Sequence, residues 1–429
     1  MIKVCLVNLG CSKNRVDSEA VLGLFQDKNR FEIVVDENDA DVIIINTCAF
    51  IHDAEDESFD TIRYLETLNK KLIVLGCLVE KYHDELKKKF PKVYLFVGFK
   101  EFSHLSKDIS SLLKIDDLND YNIFDRIKED NAFSIYLKIA EGCNHKCGFC
   151  IIPNLRGTYY SLPLDELVSY AEKAIKSGVK EINVIAQDTA YYGKDFNDKN
   201  INLSILLKKL DDIPGVQFIR VYYLYPNEIT EDIIQTIKNS KHIVHYFDLP
   251  IQHASDRIIK LMNRKDTYKS LSNLYNHILK EIPDAIFRCT LIVGYPTETE
   301  DDIAILEKFL NDHPFHHIGV FTYSNEKLAY AYHLKPQINE DIKIDRKERI
   351  MRLAKKISYN LNKKMIGKQF KGIIVGEENN TYLVRTVFNA SDDIDGDIYL
   401  KTSKNHNLGD VVEIEITDAF VYDLYSKEI

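Results

Sequence analysis

The chain reads as an α/β protein in three parts. These are an N-terminal parallel α/β domain, a central barrel of six strand–helix units that stops short of closing, and a small C-terminal antiparallel β-barrel. Three observations predict this. Short apolar runs alternate with helical patterns over residues 2–97, and again in longer units over 133–334. After residue 367 the helical spacing stops and five short strand-like runs follow, with turn residues between them. The 429 residues suit about three domains at ~150 residues each. The expected boundaries are 1–115, a linker at 116–132, a barrel with a basic connecting helix at 133–366, and the small barrel at 367–429.

In the first part, strands are predicted at Ile2–Leu9, Asp41–Asn46, Leu72–Gly76 and Val93–Val97. Helices are predicted at Ser18–Phe25, Asp53–Leu68 and Glu80–Phe90. Alternation of this kind makes a parallel sheet covered by helices. The stretch from Asp116 to Asn131 is acidic with few apolar anchors and reads as a linker.

The central part gives strands at Ser134–Ile139, Glu181–Ile185, Phe218–Val221, His245–Pro250, Ile286–Ile292 and His316–Phe321. Helices fall at Leu164–Ser177, Leu203–Leu210, Glu231–Asn239, Tyr268–Glu281 and Thr299–Leu310. Barrels of this kind collect their chemistry at the carboxyl ends of the strands. A basic helix follows over Asp341–Met365, with Ile350, Leu353, Ile357 and Leu361 as its apolar stripe. A solvated cationic face on a connecting helix accounts for it, and a contact with ribosomal RNA or an acidic partner is the sharper alternative.

The last part gives strands at Phe370–Val375, Thr381–Arg385, Asp397–Leu400, Val411–Thr417 and Val421–Tyr425, which fit a small antiparallel barrel. Residues 367–429 hold six Lys and Arg against twelve Asp and Glu, a net charge of −6.

Apolar residues make up 45% and charged residues 28%, as in ordinary globular proteins. No apolar run has the length of a membrane span, and the N-terminus lacks a signal-peptide pattern. A net charge of −10 argues against a surface that coats nucleic acid broadly. Eight cysteines in a long, cysteine-poor chain suit metal or catalytic thiols in a reducing cytoplasm better than disulfides.

Two cysteine sets stand out. Cys143, Cys147 and Cys150 lie in Glu141-Gly-Cys-Asn-His-Lys-Cys-Gly-Phe-Cys150, immediately after the first barrel strand. Three thiolates in one loop hold three irons of a cubane [4Fe–4S] cluster and leave the fourth iron open to a small molecule. A structural zinc loop would need a fourth ligand, and only His145 is at hand, from an awkward position. Cys11, Cys48 and Cys77 each follow a strand of the first part. Ligands of a parallel sheet gather beyond its carboxyl edge, so these three are expected to converge on a second three-thiolate site. Cys5 and Cys289 fall inside strands and read as packing residues.

The cysteine triplet, set between an apolar strand and Ile-Ile-Pro153, resembles that of the radical S-adenosylmethionine (SAM) enzymes. There, SAM fills the open iron and is cleaved to a radical by one electron. Candidate SAM contacts are then Gln187 and Asp188 after the second barrel strand, His253 after the fourth, Gly294 at the end of the fifth, and Arg156 opposite SAM's carboxylate. No dinucleotide or nucleoside triphosphate motif is present.

Together with the three-cysteine N-terminal domain and the terminal barrel, which resembles a TRAM domain, the chain is similar to the radical SAM methylthiotransferases. Asn46-Thr-Cys-Ala-Phe-Ile51, Gln187-Asp-Thr189 with Tyr192-Gly193, and Asp393-Ile-Asp-Gly396 resemble the branch that modifies an aspartate of ribosomal protein S12. The resemblance implies two [4Fe–4S] clusters, one on Cys143, Cys147 and Cys150 and one on Cys11, Cys48 and Cys77. It implies SAM used both as methyl donor and as radical source. Expected partners are S12 or the small ribosomal subunit and an electron donor, with no membrane, and with nucleic acid only as ribosome context. The acidic terminal barrel favours a basic protein partner over phosphate. A tRNA adenosine methylthiotransferase, or a non-catalytic iron–sulfur factor that binds the ribosome, is the alternative.

Overall fold

Runs of isoleucine, valine and leucine that gain most from burial build the first sheet. In the structure, a computed structural model, residues 1–116, 118–128, 133–391 and 394–429 are described. They form two compact units. One comprises Met1–Asp130, Glu141–His145 and Cys150–Tyr160, the other Asn131–Ala140, Lys146–Phe149 and Ser161–Ile429.

In the first unit, β1 (Ile2–Asn8), α1 (Ser12–Leu22), β2 (Phe31–Val34), β3 (Val42–Thr47), α2 (His52–Thr67), β4 (Lys71–Gly76), α3 (Cys77–Lys89), β5 (Leu95–Val97) and α4 (Leu105–Leu113) follow one another. The sheet is parallel throughout, in the order β2-β1-β3-β4-β5. Every residue of β3 is buried, as a central parallel strand covered on both faces must be. Val4, Val42, Ile44, Ile73 and Leu75 pack with Val21, Leu24, Leu105 and Ile109 from the helices. β2 is an addition to the expected strands, because Phe-Glu-Ile-Val is too short a run to stand out among its charged neighbours. The stretch read as a linker lies on this unit where it is described. Ile127 N–H donates to the Glu19 carbonyl (3.1 Å), Arg126 pairs with Glu19 (3.1 Å), and Leu118 and Tyr121 pack on the core. Asp117 and residues 129–132 of it fall outside the described residues.

β6 (Ser134–Lys138) and the short β7 (Ala140–Glu141) precede the cysteine triplet. α5 (Ile152–Arg156) and β8 (Tyr160–Ser161), which pairs with β7, come after it. Then come α6 (Leu164–Lys176), β9 (Glu181–Ile185), α7 (Leu203–Asp211), β10 (Phe218–Val221), α8 (Glu231–Asn239), β11 (Tyr246–Gln252), α9 (Asp256–Leu261), α10 (Tyr268–Glu281), β12 (Ile286–Val293), α11 (Glu300–Asp312) and β13 (His317–Thr322). β6-β9-β10 and β11-β12-β13 form two parallel sheets, joined by a bridge between Ile219 and Ile243. Among the described residues no strand pairing joins β13 back to β6, so the six-strand barrel is open along one side.

α12 (Glu340–Asn362) is the basic helix. Not all of its cations lie on a solvated face. Arg346 is buried against Glu298 (3.0 Å) and Glu300 (2.8 Å), and Arg349 reaches Glu300 (3.0 Å) and Glu307 (2.5 Å), so these cations clamp α12 to α11. Arg352, Lys355, Lys356, Lys363 and Lys364 do face solvent.

β14 (Gln369–Glu378), β15 (Thr381–Arg385), β16 (Ile398–Lys401), β17 (Val411–Ala419) and β18 (Leu424–Glu428) close a barrel in the order β14-β15-β16-β18-β17. Its pairs are antiparallel except β16–β18, which run parallel. The last strand begins at Leu424 instead of Val421, because Phe420 N–H closes a turn onto the Asp423 carbonyl (2.8 Å). The segment after β15 docks on the six-strand barrel. Arg220 donates to the Thr386 carbonyl (2.6 Å), His317 Nε2 meets the Phe388 carbonyl (2.8 Å), and Tyr136 and Tyr222 reach Ser391.

Candidate functional site

The carboxyl ends of β1, β3 and β4, three neighbouring strands, each deliver one cysteine. Cys11 sits at the N-cap of α1, Cys48 directly follows β3, and Cys77 opens α3. Cys11 is exposed, whereas Cys48 and Cys77 are buried. Two glycines allow the approach. At Gly10 (φ +95°) a Cβ would sit 2.8 Å from Cys48 Cβ and 3.1 Å from its Sγ. At Gly76 (φ +101°) it would strike Asn46 Oδ1 at 2.4 Å. Any side chain there would push into the sulfur cradle or its support, in a backbone region that L residues rarely adopt.

Polar side chains tie the three loops together. Asn14 Nδ2 donates to the carbonyls of Leu9 (3.0 Å) and Thr47 (3.1 Å). Asn46 donates to the Asn14 carbonyl and to Ser18 Oγ, each at 3.0 Å. Ser58 Oγ donates to the Cys48 carbonyl (2.8 Å) and accepts its N–H (3.1 Å), and Thr47 Oγ1 donates to the Leu75 carbonyl (2.6 Å). Burial raises the Cys48 thiol and pushes Cys77 up to about 12. Thiols this reluctant to ionise become thiolates only against added positive charge, which iron supplies.

The second set is local. His145 N–H donates to Cys143 Sγ and Ile152 N–H to Cys150 Sγ, each at 3.4 Å. Gly148 N–H donates to the Met262 carbonyl (2.8 Å) and its carbonyl accepts from Ala331 N–H (2.7 Å), which anchors the stretch around Cys147. Burial raises the Cys147 thiol, opposed by the positive charge of Arg264. Arg264 is itself buried, paired with Asp266 (3.0 Å) and stacked over Tyr225 (4.1 Å). Among the described residues, no three histidine, cysteine or carboxylate side chains converge on a point suited to a single ion. A cubane gives each thiolate its own iron, so a cluster site does not require three side chains to meet at one point.

The other expected contacts fare differently. Gln187 and Asp188 do come shortly after β9, His253 follows β11 and Gly294 follows β12, all on the carboxyl side of the barrel. Asp188 caps a short turn by accepting from Ala190 N–H (3.0 Å). His253 is fully buried, accepts from Ser255 N–H at Nδ1 (3.0 Å), and places Nε2 at 3.4 Å from Glu298. Glu298 in turn holds Gly294 N–H (2.8 Å) and Arg346. The space beside Gly294, expected to admit a flat ring, is filled by Lys343, whose Cγ lies 2.3 Å from where a Cβ would be. Arg156, expected opposite a cosubstrate carboxylate, commits its guanidinium inside the first unit, to Asp17 and Glu141 (each 2.8 Å) and Asn14 (2.7 Å). Burial disfavours its charge, but Glu141 and Asp17 more than offset this and hold it protonated. Asn14, Asp17, Glu141 and Arg264 were not read from the sequence. The polar run Ser12-Lys-Asn-Arg-Val-Asp17 beside Cys11 was the available signal.

Family models match three stretches: the Uncharacterized protein family UPF0004 over residues 3–98, the Radical SAM superfamily over 137–310 and the TRAM domain over 366–429. The chain is 43% identical to the ribosomal protein uS12 methylthiotransferase RimO of Clostridioides difficile (strain 630), over 99% of this chain and 98% of that protein. It is 40% identical to the protein of the same name from Thermoanaerobacter sp. (strain X514), over 100% of both chains. The Aquifex aeolicus (strain VF5) protein is also 40% identical, over 100% of this chain and 97% of its own length. Among solved structures, the radical S-adenosylmethionine methyltransferase TsrM from Kitasatospora setae shares the fold at a TM-score of 0.56 and 12% identity, covering 75% of this chain and 73% of its own. Identity of this order from end to end decides the matter: the chain belongs to the ribosomal protein uS12 methylthiotransferase family.

Proposed function

We propose that this protein adds a methylthio group to the β-carbon of an aspartate in ribosomal protein uS12, using SAM and two [4Fe–4S] clusters. The observation that supports it most is the pairing of full-length similarity to the uS12 enzymes with two separate three-cysteine sets. The β-carbon of an aspartate carries no acidic proton at neutral pH, so acid–base catalysis has no foothold there. The reaction instead calls for hydrogen-atom abstraction, the chemistry that SAM and a reduced cluster supply when bound.

The residues of this chain bind, orient and exclude water. Cys143, Cys147 and Cys150 would hold the cluster that cleaves SAM, with the backbone N–H groups of His145 and Ile152 orienting two of the sulfurs. Cys11, Cys48 and Cys77 would hold the second cluster, with two of the three sulfurs shielded from water. Gln187, Asp188 and His253 remain the candidates around SAM, and Gly294 drops out because Lys343 fills the space beside it. Arg156 leaves that group, since its donors are engaged elsewhere. An electron donor and a cytoplasmic location complete the reading. No helix among the described residues is long and apolar enough to cross a membrane.

The test is a mass measurement on uS12 and bulk tRNA from cells lacking the protein. The expected result is one uS12 peptide lighter by about 46 Da, the methylthio group in place of hydrogen, with tRNA unchanged. Loss of methylthio groups from tRNA adenosines while uS12 keeps its mass would favour the tRNA enzyme.

A further inference from the structure

Arg156 has more partners than an ion pair needs. Its side chain is 2% exposed. One terminal nitrogen donates to Asp17 and to Glu141. The other donates to Asn14 Oδ1 and faces Cys77 Sγ at 4.0 Å. The guanidinium also lies 3.6 Å from the centre of the Phe99 ring. Asn14 Oδ1 in turn accepts from Cys11 Sγ (3.7 Å). One side of the fork thus serves two carboxylates, and the other serves two cysteine loops. Burying such a group is expensive, and apolar packing commonly does as well for stability alone. Stability therefore does not explain the nitrogen aimed at sulfur.

The backbone adds a second link. Arg156 ends α5, which begins two residues after Cys150 and is held to the triplet loop by Cys143 N–H on the Gly157 carbonyl (3.2 Å). The side chain reaching Cys77 therefore hangs from the loop that carries Cys143 and Cys150.

We propose that Arg156 is a positioning residue that sets the reduction potential of the cluster held by Cys11, Cys48 and Cys77. This rests on the reading that those cysteines hold a cluster. Cluster potentials follow net charge and hydrogen bonds to sulfur. A guanidinium beside Cys77 favours the more reduced, more negative state and raises the potential. Asp17 partly neutralises that guanidinium and so lowers the potential through it.

The test uses the full chain with Cys143, Cys147 and Cys150 all replaced by Ala, so that only the second set holds iron. After anaerobic reconstitution, iron is counted and the midpoint potential is read by an EPR-monitored redox titration. Arg156→Gln should shift the potential downward, Arg156→Lys should shift it downward by less, and Asp17→Asn should shift it upward. Should Arg156→Gln fail to fold, the opposite shifts of Arg156→Lys and Asp17→Asn carry the same test. A purely structural arginine would alter melting temperature without signed shifts in potential. Iron retained with an unmoved potential, or with Arg156→Lys and Asp17→Asn shifting the same way, overturns the proposal alone. No iron in the triple-Ala parent would overturn the cluster reading beneath it.

Discussion

Tyr246 donates its hydroxyl to Asp395 Oδ2 at 2.7 Å, and the Asp395 carboxylate is entirely buried. Asp395 belongs to the acidic run Asp392–Asp397 that, by charge alone, reads as a surface for a basic partner. Its carboxylate instead also accepts from Ala390 N–H (2.7 Å) and lies 3.6 Å from His317. Asp392 and Asp393 fall outside the described residues. Replacing Asp395 by Ala leaves Tyr246 without its acceptor in a buried site. The expected cost is about 2–3 kcal/mol, seen as a lower urea midpoint at unchanged slope. An unshifted midpoint would refute the docking role.

On the proposed function, electrostatic recruitment of uS12 would rest on acidic groups that do face solvent, among them Glu377, Glu378 and Asp397. Reversing all three to Lys should slow uS12 modification more at low than at high salt, since screening weakens long-range attraction. SAM cleavage without uS12 should be spared. A rate loss independent of salt would point to contact geometry instead of charge.

Two cubanes should give about eight irons per chain after anaerobic reconstitution. Cys147→Ala and Cys48→Ala should each remove about half. Iron content unchanged in Cys48→Ala would disprove the second site.

The two sets should also separate by role. With reductant, Cys150→Ala should form no 5′-deoxyadenosine. Cys77→Ala should still form it yet transfer no methylthio group. Full transfer by the Cys77 variant would sink the assignment.

His316 should make the fold acid-sensitive. Burial, with smaller effects from His317, Lys368 and Lys364, lowers it from 6.5 to about 3. Its Nδ1 accepts from Phe287 N–H at 3.1 Å, as only the neutral ring can. The unfolded chain takes up this proton near pH 6.5 and the folded chain only near pH 3. Its stabilising contribution is therefore complete above 6.5 and falls as pH drops towards 3. His316→Asn retains an acceptor and should flatten that part of the urea-midpoint profile. A slope equal to the parent's would exclude His316 as the cause.

Much of the chain was determined by local pattern. Parallel strands buried on both faces show as largely apolar runs, nearly unbroken in β3 and β4 and interrupted by single polar residues such as Asn183, Arg220 and Asp248 in the barrel, so β3, β4 and the six barrel strands were legible within a residue or two. The short charged β2 was not. The position of Cys11, Cys48 and Cys77 at strand ends also follows from sequence, because a parallel sheet sends every strand end to the same edge. Long-range partners are another matter. Nothing near Arg156 in the chain says that its guanidinium meets Asp17, 139 positions earlier. Asp395 reads like the exposed Asp397 until the fold turns it onto Tyr246, and Gly294 reads like open space until Lys343 fills it. Periodicity and strand ends are written in adjacent residues. The partner of a buried charge is chosen by which distant segments the packed core brings together, and only the tertiary structure decided that.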